Sequence, residues 1–465
     1  MRSFDAVVVG AGPAGMSAAI GLRAHGLTVL VVDEQPAPGG QIWRAVEAVA
    51  PTPTGTLLGE EYRAGANLAS RFRACGANYE PATQVWQIEP GWNVYMTCKG
   101  QAESVRTSHV ILSLGAQERP APFPGWTLPG VMTVGAAQIL LKTSRQIPTE
   151  PVWVVGCGPL PLLYMAQLVR AGGKIAGWLD TASPDGLRRA LPWAGAALAG
   201  YADIFKGLRW LREIQASGAK RVRGVTAVRA FGHKRLQELE YTQANGRSTR
   251  VPASLLLSHE GVVPSIHMTQ ALGCTHEWNS QQACLAPVLD EWGQTDKPGV
   301  YVAGDGAGIG GAYAAFVRGE LVALGIAERA GRLSRTAAAA QAAPLRNKLK
   351  GLLRLRPLLD TLYAPRANIA SPTDDTIVCR CEELTAGEIR KAAAIGQPGL
   401  NQLKAYTRAG MGPCQGRQCG YTVAHIVAQE KSRKVAEVGF YRIRPPLKPL
   451  TLAQLATLNI DEKET

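Results

Sequence analysis

Short, continuous apolar runs alternate with helix-like stretches along the first part of the chain. The runs at residues 7–9 and 29–32 are separated by a glycine-rich turn and an alanine-rich segment, and the runs at 152–155 and 175–179 repeat that order. Continuous apolar strands joined by helices are typical of a parallel sheet covered on both faces. The pattern therefore predicts an α/β chain that contains two similar strand–helix–strand units.

The first unit carries a glycine-rich turn directly after its first strand. In the spacing G-x-G-x-x-G, Gly10 permits a tight exit from the strand, Gly12 lets a pyrophosphate approach the backbone, and Gly15 lets the helix pack closely on the sheet. The N–H groups at the start of that helix face the anion. Asp33 ends the second run, 23 positions after Gly10, where a carboxylate would bond a ribose hydroxyl. The predicted dinucleotide-binding turn consists of Gly10, Gly12, Pro13, Ala14, Gly15 and Asp33.

Further candidate contacts follow the same unit. A glycine pair just after Asp33 would let the backbone pass a bulky, extended cofactor such as FAD. Residues 60–75 predict an amphipathic helix, and residues 82–89 and 92–98 alternate like two strands of a meander. Apolar strands at 110–114 and 299–303 then return to the sheet. The candidate FAD contacts in these segments are Glu34, Gly40, Gln41, Val85, Gly115, Ala116, Gly304 and Asp305.

The second unit departs from the glycine pattern at one position. Gly156 and Gly158 match the first two glycines, and Asp180 lies 24 positions after Gly156, but Pro161 stands where the third glycine belongs. Proline is tolerated in the first turn of a helix, yet it takes the space that glycine leaves between helix and sheet. NAD binding and a retained fold without NAD therefore both stay open for this unit. No arginine directly follows Asp180, which argues against NADP.

Composition narrows the class of protein. The 465 residues suffice for two or three domains, and 46% apolar with 18% charged residues is typical of an α/β enzyme. The net charge of +14 is not gathered into a nucleic-acid motif, so we expect acidic protein partners and anionic cofactors, and no nucleic acid. No apolar run approaches the ~20 residues of a membrane span. We expect a cytoplasmic protein that is at most peripheral on the inner face of the membrane.

Basic residues and leucines are interleaved between residues 332 and 370. This segment predicts a linker with a basic amphipathic helix, which would pack its leucines on another domain or bind a membrane surface. The basic residues concerned are Arg346, Lys348, Lys350, Arg354 and Arg356.

Four of the nine cysteines form two close pairs with 32 residues between them. Between the pairs, Thr385 and Glu388 form a capping box, Gly396 ends that helix, and a second helix is expected at 399–408. Two short helices would bring the pairs together as a Cys₄ site, which holds either structural zinc or an electron-carrying [2Fe-2S] cluster. The cluster is favoured because a flavin is predicted in the same chain. The four candidate ligands are Cys379, Cys381, Cys414 and Cys419.

Two resemblances rest on these motifs. Residues 4 to about 330, with both glycine turns and the late Gly304-Asp305 strand, resemble the two-dinucleotide-binding-domain flavoproteins of glutathione- and thioredoxin-reductase type. The cysteine segment resembles bacterioferritin-associated ferredoxin, except that its second pair is Cys-x₄-Cys. That variant, together with the tail from Tyr441, resembles the electron-relay subunits of heteromeric flavoprotein dehydrogenases: the A subunits of opine oxidases, the B subunit of hydrogen cyanide synthase, and the α subunits of hydroxyproline or proline dehydrogenase.

The resemblance implies an α/β fold of two Rossmann-like lobes plus a small helical [2Fe-2S] domain. The expected boundaries are 1–118 and 265–331 for the FAD lobe, 119–264 for the second nucleotide-binding-like lobe, 332–370 for the basic linker, 371–432 for the cluster domain and 433–465 for a Pro-rich tail.

The resemblance also implies a function. The chain would hold FAD and [2Fe-2S], with NAD or ATP in the second lobe and FMN at a subunit interface as further options. It would relay electrons from an amino-acid-oxidase-type β subunit, which oxidises an imino acid, an opine, proline or hydroxyproline, to a quinone or carrier protein; a small ferredoxin-like γ subunit is a further partner option. No catalytic acid or base is expected in this chain. The alternatives are a self-sufficient NADH-dependent reductase and a glycine-oxidising hydrogen cyanide synthase subunit.

Overall fold

A computed structural model of the protein describes residues 2–395 and 399–458. Its first segment forms most of one lobe. The elements are β1 Arg2–Val9, α1 Pro13–Ala24, β2 Val29–Val32, α2 Val46–Val49, α3 Pro53–Leu58, α4 Glu60–Arg63, α5 Gly65–Ala74, β3 Asn78–Glu80, β4 Thr83–Glu89, β5 Asn93–Cys98, β6 Gln101–Leu112 and β7 Ala116–Glu118.

The second segment forms the inserted lobe. Its elements are β8 Val131–Thr133, α6 Val134–Ser144, β9 Val152–Gly156, α7 Pro159–Arg170, β10 Ile175–Asp180, α8 Gly186–Ala190, α9 Ala194–Ala199, α10 Tyr201–Ala216, β11 Lys220–Arg223, β12 Val225–Phe231, β13 Glu238–Gln243, β14 Ser248–Pro252, β15 Leu256–His259 and β16 Val262–Pro264.

The third segment completes the first lobe and forms the cysteine domain. Its elements are α11 His267–Ala271, β17 His276–Asn279, β18 Cys284–Pro287, β19 Val300–Val302, α12 Ala312–Arg329, α13 Arg335–Leu353, α14 Arg356–Leu362, β20 Ile377–Cys379, β21 Leu384–Thr385, α15 Ala386–Ala394, α16 Leu400–Thr407, α17 Gly420–Glu430, α18 Val435–Val438 and α19 Leu452–Leu455.

Both lobes contain a parallel sheet, as the apolar runs predict. In the first lobe β3, β2, β1 and β6 are parallel neighbours, and β19 joins β6 from the other side. The antiparallel strands β4 and β5 extend β6 as a meander. In the second lobe the order β11-β10-β9-β15-β8 is parallel throughout. Ligands of such sheets bind at the carboxyl ends of the strands.

One predicted helix is wrong in detail. Residues 60–75 form two helices, α4 and α5, rather than one. The break lies at Ala64, directly before Gly65, and a Cβ atom at Gly65 would come within 2.4 Å of the Trp43 ring. The chain turns there so that the backbone can pack on the indole.

The linker helix α13 packs against α12. Leu345 and Leu349 are partly buried against a cluster that includes Trp292 and Val317, so these leucines pack within the protein. Within the described residues, no helix has the length and apolar character to cross a bilayer.

The cysteine domain and the tail share one apolar core with the first lobe. Val423 of α17 and the tail residues Tyr441 and Leu447 belong to the same buried cluster as Val85 and Leu112 of the first lobe. The capping box of Thr385 and Glu388 is confirmed, and α15 and α16 lie close to the predicted helices. The predicted stop at Gly396 lies outside the described residues.

Candidate functional site

The first glycine turn is held by close backbone contacts that only glycine permits. A Cβ atom at Gly15 would lie 1.8 Å from the carbonyl oxygen of Gly10, so α1 packs directly against the end of β1. Gly10 has a φ of +104° and no room for a side chain beside Ser113. The Cα atom of Gly12 comes close to Gly40, whose own Cβ would lie 3.0 Å from it. The structure thus brings Gly10, Gly12, Gly15 and Gly40 into one crevice.

The helix that starts in this crevice is suited to an anion. Gly12 caps α1 without any side-chain hydrogen bond, Pro13 occupies its start, and no acidic residue lies in its first turn. Uncapped N–H groups at a helix start attract negative charge. The start of α1 at Pro13 and Ala14 is therefore electrostatically suited to a pyrophosphate.

Asp33 lies at the end of β2 facing the same turn. Its Oδ2 accepts the N–H of Ala11 at 2.6 Å, and its Oδ1 accepts the N–H of Gln35 at 2.7 Å. Burial raises the pKa of Asp33, against the lowering effect of these two hydrogen bonds. Each carboxylate oxygen has a second lone pair, so both remain able to accept a ribose hydroxyl. The neighbouring Glu34 is half-exposed and forms an ion pair with Lys448 at 2.7 Å.

The late strand brings its glycines to the same crevice from the other side. A Cβ atom at Gly304 would lie 3.0 Å from the Cβ of Ala14. The Oδ1 atom of Asp305 accepts the N–H groups of Gly310 and Gly311 at 2.9 and 3.0 Å, which shapes the turn before α12. Helix α12 begins without a side-chain cap or an acidic first turn. Two uncapped helix starts therefore flank one space.

The remaining candidate residues lie in β4, at the start of β7 and in the glycine loop after β2. Gly115 has a φ of +66° and accepts the N–H of Ser265, and Ala116 begins β7. Val85 is buried in β4. The carbonyl oxygen of Gln41 accepts a hydrogen bond from Lys142 Nζ at 3.2 Å, so a lysine of the second lobe fixes the glycine loop of the first.

The second glycine turn is covered by the chain itself. Gly158 has a φ of +108°, and the Tyr363 side chain lies 3.9 Å from the position of a Cβ there. Arg366 forms an ion pair with Glu260, which follows β15 at the carboxyl edge of the sheet. Tyr363 and Arg366 come from the linker just after α14. The linker thus lies over the point where a dinucleotide would meet Gly158.

Asp180 is also engaged. Its Oδ2 forms an ion pair with Arg221 of β11 at 2.6 Å, and its Oδ1 accepts the N–H of Ala182. The arginine that is absent next to Asp180 in sequence is thus supplied by the neighbouring strand. Helix α7 starts at Pro159 and buries Pro161. Because a Cβ at the matching Gly15 would overlap a backbone oxygen, α7 cannot lie as close to its strand as α1 does.

The four cysteine sulfurs come together in two pairs, each with one member from each motif. Cys379 and Cys419 are buried and joined by a hydrogen bond, and Cys381 and Cys414 are joined by another. Among the described residues, no three of these sulfurs lie within 4.8 Å of one another. Cys381 is exposed and Cys414 is half-buried, so one pair faces the core and the other the surface.

The surroundings of the buried pair favour a thiolate at Cys379. The hydrogen bond from the Cys419 thiol and the N–H groups of Gly410 and Glu382 lower the pKa of Cys379 to about 6. The pKa of Cys419 is raised well above its usual value, first by that same hydrogen bond and then by burial. Gly412 is needed because a Cβ there would lie 2.3 Å from the Cβ of Cys381.

The cysteine loop contacts the first lobe at the segment after Gly115. Gln117, which follows Gly115 and Ala116, donates from Nε2 to the carbonyl oxygen of Arg417 at 3.3 Å. His267 lies 3.3 Å from the carbonyl oxygen of Gln415, and burial lowers its pKa to about 3, so it donates as a neutral imidazole. The Cys414–Cys419 loop is therefore packed against the segment that follows Gly115.

Sequence reasoning missed the residues that reach these sites from distant segments. Tyr363 and Arg366 over the second turn, Arg221 on Asp180 and Lys142 under Gln41 have no local motif. Only Tyr363 and Arg366 had an indirect signal in the sequence. They lie in the basic linker, which predicted a helix that packs on another domain.

Comparisons with known proteins agree with this arrangement. Residues 4–342 match the family "Pyridine nucleotide-disulphide oxidoreductase", and residues 373–458 match the "Sarcosine oxidase A3 domain". The chain therefore belongs to the pyridine nucleotide-disulphide oxidoreductases, a family that implies FAD.

Its relatives define the particular branch. The chain is 42% identical to the opine oxidase A subunit of Rhizobium meliloti over 98% of this chain and 88% of that protein. It is 31% identical to the hydrogen cyanide synthase protein HcnB of Pseudomonas protegens over 96% of both chains. The L-proline dehydrogenase structure from P. horikoshii has the same fold, with a TM-score of 0.73 at 21% identity over 98% of this chain and 79% of that one. The chain belongs to the family of opine oxidase A subunits, and is a flavin-dependent oxidoreductase component of a heteromeric enzyme.

Proposed function

We propose that this chain holds FAD and a [2Fe-2S] cluster and relays electrons within a heteromeric dehydrogenase or oxidase of an imino acid, an opine or a related amino acid. The observation that carries the proposal is the contact between Gln117 and Arg417, which packs the cysteine loop against the segment after Gly115. Electron transfer between two centres needs that kind of proximity.

FAD fits the crevice of the first lobe. The pyrophosphate would lie between the two uncapped helix starts at Gly12 and Gly311, the ribose would bond Asp33, and the chain would pass Gly40 and Gly304. Bound FAD supplies the capacity to take up and release electrons, while the protein supplies position and electrostatics. Asp305 holds the turn that presents the start of α12 to this ligand.

The cysteine geometry favours a two-iron cluster over zinc. Four sulfurs on one tetrahedral zinc lie about 3.8 Å apart, given Zn–S bonds near 2.3 Å. Here no three of the four described sulfurs lie within 4.8 Å of one another, whereas each iron of a two-iron cluster needs only one close pair of cysteines, and backbone N–H groups point at Cys379. Hydrogen bonds to cluster sulfurs are among the features that set reduction potential.

The source of electrons is proposed to be another subunit. Residues 1–330 contain no Cys-x-x-Cys pair for a dithiol relay. The second glycine turn, where NADH would bind in a self-sufficient reductase, is covered by Tyr363. We therefore assign substrate oxidation to an amino-acid-oxidase-type flavoprotein β subunit.

The other partners follow from the same assignment. FMN would lie at the subunit interface, a small ferredoxin-like γ subunit would complete the enzyme, and a quinone or carrier protein would accept the electrons. The enzyme would work in the cytoplasm or at the inner face of the membrane. A nucleotide in the second lobe, NAD or ATP, would have to displace the Tyr363 ring and would serve a structural or regulatory role.

The identity to HcnB makes glycine the competing substrate. An opine, proline or hydroxyproline and glycine can be offered separately to the assembled enzyme, and cyanide formed from glycine alone would assign the chain to the hydrogen cyanide synthases.

The cofactors are tested first on the chain itself. Anaerobically prepared protein should release FAD in acid and contain about two irons and two acid-labile sulfides per chain, the content of one such cluster. Cys419→Ala should lose the iron but keep the FAD, whereas Cys75→Ala, outside the motif, should keep both. One zinc and no iron would refute the cluster.

Electron flow is tested next. With NADH alone the flavin should remain oxidised over ~0.1 s, the turnover time of a median enzyme. With the partner subunits and an imino acid it should bleach promptly. Prompt bleaching by NADH would instead assign a self-sufficient reductase.

A further inference from the structure

Helix α10 has two apolar faces, of which only one is covered. Trp210 and Ile214 are buried against the second lobe, whereas Tyr201, Phe205 and Leu208 are 64%, 66% and 42% exposed. The spacing i, i+4, i+7 places these three side chains on one stripe of the helix. The outer stripe is therefore an apolar surface that the described part of the chain does not cover.

The same region carries two more exposed leucines. Leu187 of α8 is 76% exposed, and Leu191 just after it is 68% exposed. Helices α8, α9 and α10 all pack on α14 through Ala190, Ala197 and Ile204. These neighbouring helices thus carry five exposed apolar side chains, which we call the α8–α10 face: Leu187, Leu191, Tyr201, Phe205 and Leu208.

Burial of this face in a complex is energetically favourable. Each apolar side chain of this size is stabilised when it is buried rather than exposed to water. A cluster of exposed large apolar side chains rimmed by charge marks an interaction site rather than the background of scattered surface leucines. The Tyr201 and Phe205 rings are already arranged edge to face, with centroids 6.4 Å apart.

The charges around the face define the chemistry of its partner. Arg188, Arg189 and Arg212 are exposed, and no carboxylate in the described part of the chain pairs with them. Arg212 continues the stripe of α10 at the next i+4 position. Asp203 pairs with Lys206 and Glu213 pairs with Arg170, whereas Asp185 just before α8 is exposed and unpaired within the described residues. In that part of the chain, three unpaired arginines thus stand against one unpaired carboxylate. An occupant needs carboxylates around an apolar centre.

A second copy of this chain does not meet that need. In a two-fold interface the same patch meets itself, so the unpaired arginines would face each other. Like charges that face each other across an interface oppose association. The chain as a whole carries a net charge of +14, which also disfavours self-association.

We infer that the α8–α10 face binds another subunit of the heteromer, through an acidic surface with an apolar centre on that subunit. The inference rests on the heteromeric assembly in the proposed function, and not on the cluster or on electron relay. It places one intersubunit contact on the second lobe, in addition to the contact through which electrons would pass.

Assembly of the native heteromer tests the inference. The complex is purified from its source cells with the Phe205→Asp/Leu208→Asp variant or the wild-type chain, and its dissociation constant is measured by sedimentation on dilution. The double variant should weaken assembly at least about 30-fold, as loss of a single hot spot does. The control Leu452→Asp changes an 85% exposed leucine outside the face and should leave assembly unchanged.

The arginines are tested through salt. Replacing Arg188, Arg189 and Arg212 with glutamine should weaken assembly at low salt and flatten its salt dependence. If this variant assembled with the same dissociation constant and the same salt dependence as the wild-type chain, the inferred acidic surface on the partner would be contradicted.

A measurement on wild-type protein does not depend on how any variant folds. Hydroxyl-radical labelling of Tyr201 and Phe205 should fall at least fivefold when the complex forms from the isolated chain. Unchanged labelling would overturn the inference. It would also be overturned if the isolated chain formed a dimer that the Phe205→Asp substitution abolishes. None of these assembly measurements depends on electron transfer. A chain that contains no iron but still assembles through this face would therefore refute the proposed electron relay and leave the inferred interface standing.

Discussion

Lys142 is a buried lysine whose hydrogen bonds all go to uncharged oxygens. Its Nζ donates to the carbonyl oxygens of Gln41 and Ile42 and to Gln138 Oε1, at 3.2, 3.0 and 3.0 Å. Burial lowers the pKa of Lys142 from 10.5 to about 7. Burial therefore makes the protonated form of Lys142 less stable than it is in water. The side chain links α6 of the second lobe to the glycine loop of the first.

This shift predicts a pH dependence of stability. Between about pH 7 and 10.5 the unfolded chain holds a proton on Lys142 that the folded chain has lost. Folding is then favoured by up to about 1.4 kcal/mol per pH unit as the pH rises through this window. The melting temperature of wild-type protein should rise relative to Lys142→Met between pH 7 and 9.5, measured by calorimetry. The control Lys174→Met, at an exposed lysine, should give a constant difference; a constant difference for Lys142→Met would contradict the shift.

The segment from α14 to Arg366 acts as a cover for the second lobe. The Tyr363 ring lies against Gly158, and Leu362 packs beside Gly186 at the start of α8. The segment continues directly to the cysteine domain, where Trp126 of the second lobe donates to the carbonyl oxygen of Ile377 at 2.6 Å. A ligand that lifts this cover would therefore also disturb the start of β20.

Removing the cover predicts a gain of nucleotide binding. Tyr363→Ala should bind ATP or NAD at least about 10-fold more tightly than the wild-type chain, because a pyrophosphate would no longer have to displace the ring from Gly158. Titration calorimetry on the full chain measures this, with FAD content as the folding check. Tyr406→Ala, at a 72% exposed tyrosine, is the matched control. Equal affinities in wild type and Tyr363→Ala would show that the ring is no barrier.

The elements that could be predicted from sequence are those with local signals. The glycine spacing, the apolar runs and the Thr385 capping box are each contained within a few residues, and the structure has the corresponding turns, strands and helix. The break between α4 and α5 was not predictable, since it depends on the Trp43 ring that packs on Gly65. No local pattern indicates that Tyr363 meets Gly158, because such contacts arise only when distant segments pack.

The tail joins the cysteine domain to the first lobe at the scale of the whole molecule. Leu447 is buried, its N–H donates to the carbonyl oxygen of Trp86 at 2.8 Å, and its own carbonyl oxygen accepts from Arg417 at 2.6 Å. Lys448 then pairs with Glu34. One short stretch thus contacts both the cysteine loop and the end of β2.

Loss of the Leu447 side chain should loosen that docking. Leu447→Ala should cost about 2–5 kcal/mol, the usual range for a buried leucine. Faster amide hydrogen exchange in both α17 and β4 is expected, with no change in the core of the second lobe. Leu452→Ala, on the exposed side of the tail, should exchange like wild type. Protection that is lost in α17 but kept in β4 would mean that the tail stabilises only its own domain.

The pairing of β6 with β19 has a consequence for synthesis on the ribosome. The whole second lobe emerges between these two strands, which at 5–20 residues per second takes roughly 10–40 s. During that interval the nascent chain carries β6 with one unpaired edge along residues 110–112, where β19 later binds. Unpaired edges of this kind recruit other strands. Folding of the inserted lobe shortens the path between β6 and β19, so that β19 can pair with this edge as soon as it has been synthesised.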